Sequence, residues 1–104
     1  RFPDVNISDL QDAWRDILKR AKLVQHHKIT REELSVREHM GMVLRRLQGR
    51  CFVPFEELFD PASGSAVLVV TFIALLELGK ETLIDITQAE AFAPIYVRLA
   101  YSPS

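Results

Sequence analysis

The fold is decided by residues 66–78, which read AVLVVTFIALLEL. This stretch contains no Arg, Lys, Asn or Gln, and its first charged residue is Glu77. The pattern predicts a long helix over residues 66–80 that is apolar around most of its circumference. A helix of this kind is either wholly buried or covered on one side by a partner, because proteins rarely leave a large apolar surface in water.

A helical wheel divides this helix into two faces. The expected core face consists of Leu68, Val69, Phe72, Leu75, Leu76 and Gly79. The expected outer face consists of Val67, Val70, Thr71, Ala74 and Leu78. A chain of 104 residues can hardly wrap one helix completely, so we predict that the outer face docks on another protein. The alternative is that the chain's own N-terminal helix folds back over it.

The segments before and after this helix predict the remaining helices and strands. Downstream, residues 83–88 alternate in part and residues 95–99 alternate regularly between apolar and polar, which predicts a β-hairpin. Upstream, Ser35 opens a helix, and a short strand over 50–53 and a brief helix over 54–59 follow it. The order predicts a winged helix-turn-helix, a mostly α fold with a small β-hairpin wing, in the α+β class.

An extra amphipathic helix over residues 8–25 precedes the winged helix. Ser8 is expected to be its N-cap, with Gln11 completing a capping box. Its apolar stripe consists of Leu10, Ala13, Trp14, Ile17, Leu18 and Ala21.

The charge of the chain argues against a dedicated nucleic-acid binder. It has 13 Lys and Arg against 14 Asp and Glu, a formal net charge of −1, whereas DNA binding relies on clustered basic side chains. A winged helix that reads DNA also needs polar or basic side chains on its third helix. A winged-helix DNA-binding regulator stays as the alternative, which a steeply salt-dependent affinity for duplex DNA would support.

No group of residues points to catalysis or to a bound metal ion. The candidate metal ligands have no tight spacing and are interpreted as loop and surface residues: His26, His27, Glu33 and His39. Cys51, the single cysteine, is expected to be a small buried residue, because no catalytic base accompanies it. We predict no enzyme activity, no catalytic residue, no metal ligand and no cofactor. The longest apolar run is too short to span a bilayer.

Several segments resemble one bacterial family. The sequences VTFIALLEL at residues 70–78 and QAEAFAPI at residues 88–95 resemble the C-terminal signature of segregation and condensation protein A, a kleisin. Residues 26–40 are similar to that family as well, and residues 5–22 resemble the end of its central region. The resemblance implies that residues 1–27 end the central region and residues 28–104 form the C-terminal winged-helix domain.

The same resemblance implies a function and its partners. A kleisin's C-terminal winged helix binds the cap of an SMC ATPase head and helps to close a ring for chromosome condensation and segregation. The ring encloses DNA that the kleisin does not read, and the central region recruits segregation and condensation protein B. A cytoplasmic, nucleoid-associated protein without a membrane partner is expected. The implied contacts with the SMC head lie on the outer helix face and the wing: Val67, Val70, Thr71, Ala74, Leu78, Phe92, Ile95 and Tyr96.

Overall fold

Three α-helices and a three-stranded antiparallel sheet form the part of the chain that the computed structural model describes, residues 5–24 and 34–100. The elements are α1 (Ile7–Val24), α2 (Val36–Leu47), β1 (Val53–Pro54), two 3₁₀ helices (Phe55–Leu58 and Pro61–Ser63), α3 (Ser65–Lys80), β2 (Ile84–Gln88) and β3 (Ile95–Leu99). Strand β3 lies in the middle of the sheet, between β1 and β2. The predicted α+β winged-helix order is confirmed, with β2 and β3 as the wing.

The two helices that precede the sheet begin with different caps. At α2 the prediction that Ser35 opens the helix is confirmed, because Ser35 is the N-cap and its Oγ accepts a hydrogen bond from the Glu38 backbone N–H at 3.3 Å. At α1 the predicted Ser8 cap is wrong. Asn6 Oδ1 accepts from the backbone N–H groups of Ser8 at 2.9 Å and Asp9 at 3.4 Å, so α1 begins at Ile7. Asparagine caps a helix as well as serine does, and Asn6 lies two residues before Ser8.

A single hydrophobic core joins α1 to the winged helix. Its buried members come from all three α-helices, all three strands, the first 3₁₀ helix and the residue that follows it: Leu10, Ile17, Ala21, Val43, Leu47, Val53, Phe55, Leu58, Phe59, Leu68, Leu75, Leu78, Ile84, Ile95 and Val97. The predicted stripe of α1 is confirmed, since three of its residues are buried in this core and the other three are half-buried. The predicted domain boundary after residue 27 lies outside the described residues and stays a prediction.

The segment before β1 differs from the sequence-based expectation. The strand begins at Val53, so the predicted strand over residues 50–53 is displaced towards Pro54. Cys51 lies before the strand and is exposed, so the prediction that it is buried is wrong. Gly49, which adopts a positive φ of 76°, ends the preceding turn and leaves residues 50–52 outside the sheet.

Candidate partner-binding surface

Helix α3 turns a different face to the core than the helical wheel predicts. Its buried residues are Leu68, Thr71, Ala74, Leu75 and Leu78. The expectation that Thr71, Ala74 and Leu78 face outward is therefore wrong. Helix α3 packs closely against α2, and Ala74 is fully buried. The Thr71 hydroxyl donates to the Val67 carbonyl at 2.8 Å, so it is satisfied inside the protein.

An apolar stripe nevertheless remains exposed on α3. Val69, Ile73 and Leu76 follow one another at helical spacing, and their exposed fractions are 42%, 40% and 45%. We call these three residues the α3 outer stripe. Val67 and Val70, which were expected to face outward, are half-buried. Helix α3 thus has an exposed apolar face, as predicted, but other residues form it. Two of them, Val69 and Leu76, are expected in the core on the helical wheel.

Helix α1 covers another part of α3. The Trp14 ring stacks on Phe72 with 4.4 Å between ring centroids and 11° between ring planes, and it lies 5.4 Å from the Phe59 ring. The N-terminal helix does fold back onto α3, but it covers Phe72, which the helical wheel assigns to the core face, and not the exposed apolar stripe. The α3 outer stripe keeps its exposure with α1 in place.

The wing presents two of its three predicted contact residues to solvent. Tyr96 is 37% exposed and Phe92 is 89% exposed. Ile95 is buried in the core rather than exposed on the wing, because side chains alternate along β3 and Ile95 and Val97 point inward. Its contact with a partner stays a prediction. The Tyr96 ring packs edge-on against Phe52, with 6.3 Å between centroids.

A polar cluster fastens the wing loop to the start of α1. Gln88 Nε2 donates to Asp9 Oδ2 and to the Ala93 carbonyl, both at 2.9 Å, and Gln88 Oε1 accepts from the Asn6 N–H at 3.1 Å. Asp9 Oδ2 also accepts from the Phe92 N–H at 2.6 Å. Sequence reasoning missed this cluster. Gln88 stood in the quoted wing motif, but no local pattern indicated Asp9.

Basic side chains are few where a DNA-reading helix would need them. The α3 outer stripe is aliphatic, and the basic residue of α3 is Lys80 in its last turn. On α2, Arg46 donates to the Glu57 carbonyl at 3.1 Å, and just after α2, Arg50 pairs with the Glu57 carboxylate at 3.1 Å. This surface does not favour the DNA-binding alternative.

Metal sites and membrane spans both have no candidate within residues 5–24 and 34–100. Within residues 5–24 and 34–100, no three His, Cys, Asp or Glu side chains are grouped so that they could hold a metal ion. Of the predicted loop and surface histidines, His39 lies on α2 and is buried, with Nδ1 2.9 Å from the Ser35 carbonyl, so a surface position is wrong for it. His26, His27 and Glu33 lie outside the described residues. In the described part of the chain, no helix has the length and hydropathy that crossing a membrane requires.

Comparison with known proteins identifies the family. The family model described as segregation and condensation protein ScpA matches residues 4–100. This chain belongs to that family. The segregation and condensation protein A of Xylella fastidiosa (strain Temecula1 / ATCC 700964) is 48% identical over 96 residues, 92% of this chain and 32% of the relative. That of Coxiella burnetii is 41% identical over 96 residues, 92% of this chain and 36% of the relative.

A third relative of the ScpA family gives the same result. The Listeria monocytogenes serotype 4a protein is 42% identical over 99 residues, 91% of this chain and 39% of its own length. The chain thus spans about a third of the length of the ScpA relatives that it matches. Membership of the ScpA family confirms the resemblance stated from the residues.

Proposed function

We propose that this chain is the part of a kleisin that binds the cap of an SMC ATPase head, in a complex for chromosome condensation and segregation. The observation that carries the proposal is the α3 outer stripe, three aliphatic side chains left exposed on the helix that would face DNA in a DNA-reading winged helix. A contiguous exposed apolar surface commonly marks a protein-binding site. Membership of the segregation and condensation protein A family supplies the kind of partner.

The proposed contact set combines the α3 outer stripe with the two exposed wing aromatics, Phe92 and Tyr96. Aliphatic burial supplies about 25 cal/mol per Å² of apolar surface removed from water. Aromatic side chains are common among the residues that dominate binding energy. Val67 and Val70 flank the stripe and contribute at its border. Thr71, Ala74, Leu78 and Ile95 support the surface from beneath.

The role proposed for this chain is binding rather than catalysis. In the complete protein, a head-bound winged helix would connect one SMC head to the rest of the kleisin and so help to close a ring around DNA. ATP hydrolysis would belong to the SMC partner, and segregation and condensation protein B would bind the central region, to which we assign residues 1–27. We place the complex in the cytoplasm, associated with the nucleoid and with no membrane partner.

The direct test mixes the chain with isolated SMC head domains and measures co-elution and affinity. Ile73→Lys puts a charge into the middle of the α3 outer stripe, and we expect it to abolish co-elution, because the interface would have to bury an unpaired ammonium group. Met42→Lys is the matched control, since Met42 is another half-exposed apolar residue but lies on α2. It should bind normally. Normal binding by a folded Ile73→Lys variant would contradict the proposed surface.

The same samples test the DNA-binding alternative. A labelled duplex is titrated with the chain at low and at moderate salt concentrations. A dedicated DNA-binding domain loses affinity steeply as salt rises, because its contacts displace counterions from the phosphates. We expect weak binding without a steep dependence on salt. Tight, salt-sensitive binding that Ile73→Lys strengthens would favour the alternative.

A further inference from the structure

The wing tip displays one aromatic ring in an unusual way. Phe92 is the most exposed large apolar residue in the described part of the chain, at 89%, and its backbone has a φ of 65°. A bulky residue rarely adopts this left-handed conformation, because its Cβ crowds the backbone, and it persists only when surrounding contacts fix it. The conformation of Phe92 therefore needs a partner elsewhere in the fold.

That partner is the first turn of α1. The Asp9 carboxylate accepts the Phe92 N–H at 2.6 Å and the Gln88 side-chain N–H at 2.9 Å through the same oxygen, Oδ2. Gln88 is only 2% exposed and also holds the Ala93 carbonyl, so the loop is fastened on both sides of Phe92. Hydrogen bonds to a charged acceptor are stronger than neutral ones, and this acceptor is 83 residues from the loop in sequence.

We propose that Asp9 is a positioning residue for partner binding. With Gln88 it fixes the wing loop in the conformation that presents the Phe92 ring to the SMC head. The inference rests on the proposed function and extends it, because it makes the display of the wing depend on α1 being docked. A segment assigned to the end of the central region thereby sets the geometry of the head-binding domain.

The first experiment measures the hydrogen bond itself, without any partner. Amide hydrogen exchange at Phe92 should be slow in the unchanged chain and fast in Asp9→Ala, because the acceptor of the Phe92 N–H is lost. Asp12→Ala is the matched control, since Asp12 is an exposed acidic residue on the same helix whose side chain pairs with Arg15. It should leave exchange at Phe92 unchanged. Equal exchange at Phe92 in the unchanged chain and in Asp9→Ala would overturn the inference.

The second experiment is a double-mutant cycle on binding to the SMC head. Truncation of an aromatic anchor commonly weakens binding by at least about tenfold, so Phe92→Ala should do so. If Asp9 acts by positioning that ring, Asp9→Ala alone should weaken binding severalfold, and the double variant should bind no worse than Phe92→Ala. Asp9→Asn, which keeps an acceptor oxygen, should restore much of the affinity.

The outcomes separate the inference from the proposed function. Additive effects of Asp9→Ala and Phe92→Ala would overturn the inference, because Asp9 would then act independently of the ring. Unweakened binding by either single variant would overturn it as well. Failure of the unchanged chain to bind SMC heads would instead overturn the proposed function, together with everything that rests on it.

Discussion

Replacing Trp14 by alanine tests whether α1 is part of the winged-helix domain. Trp14 stacks on Phe72 of α3 at 4.4 Å and contacts Phe59 at 5.4 Å between ring centroids. Truncation of a fully buried Trp costs about 3–5 kcal/mol, and an aromatic pair adds about 1 kcal/mol beyond its burial. Because Trp14 is half-buried, we expect Trp14→Ala to lower the free energy of unfolding by about 3 kcal/mol.

Urea denaturation followed by far-ultraviolet circular dichroism measures this change. In a domain of this size, 3 kcal/mol corresponds to a fall in melting temperature of more than about 10 °C. Trp14→Phe is the matched control. It keeps an aromatic ring stacked on Phe72, so it should lower the free energy of unfolding by less than half as much as Trp14→Ala. Trp14 is the single tryptophan, so its fluorescence in the unchanged chain should report the same unfolding midpoint. A loss below about 0.5 kcal/mol in Trp14→Ala would refute the packing of α1 on α3.

Two further predictions concern the face of α3 and the wing tip. Ala74→Lys should unfold the domain or lower its free energy of unfolding by more than about 3 kcal/mol, because Ala74 is fully buried. Ile73→Lys should lower the free energy of unfolding by only about 1 kcal/mol, because its ammonium group can reach water. Thermal unfolding of the two variants checks this. Equal losses of stability would mean that the buried and exposed faces of α3 are misassigned. Phe92→Gly should be more stable than Phe92→Ala by about 1 kcal/mol, because glycine tolerates the positive φ at that position. Chemical denaturation of this pair checks it, and a more stable alanine variant would rule out the left-handed backbone.

Local patterns in the sequence predicted most of the elements. The bounds of β3 and nearly those of α3 and β2 follow from alternation and apolar periodicity. The Ser35 cap was predictable because serine followed by glutamate three residues later is a strong signal for a helix start. The stripe of α1 was predictable for a similar reason, since its other face is charged and only one side can enter the core.

The core face of α3 could not be predicted in this way. A helix that is apolar all round has no polar side to mark where water lies, so a helical wheel cannot choose between its faces. The choice is made by α2 and by the Trp14 ring, which are distant in sequence. Without that information the helical wheel puts Val69 and Leu76 inside and Thr71, Ala74 and Leu78 outside, the reverse of their positions in the structure.

The fastening of the wing was also beyond local reasoning. The contact between Asp9 and Phe92 joins residues 83 positions apart, and a phenylalanine gives no sequence signal for a positive φ, which is usually supplied by glycine or asparagine. The sequence QAEAFAPI at residues 88–95 indicates Gln88 and Phe92 only through its resemblance to the family. Their physical relation becomes apparent only when α1 and the wing are seen together.

We propose that another protein covers the α3 outer stripe. The most direct measurement is the reactivity of a cysteine placed at Ile73, in a chain whose exposed Cys51 is replaced by serine. We expect SMC heads to slow the labelling of Ile73→Cys strongly and to leave that of Met42→Cys unchanged. Equal labelling of Ile73→Cys with and without bound heads would contradict this proposal.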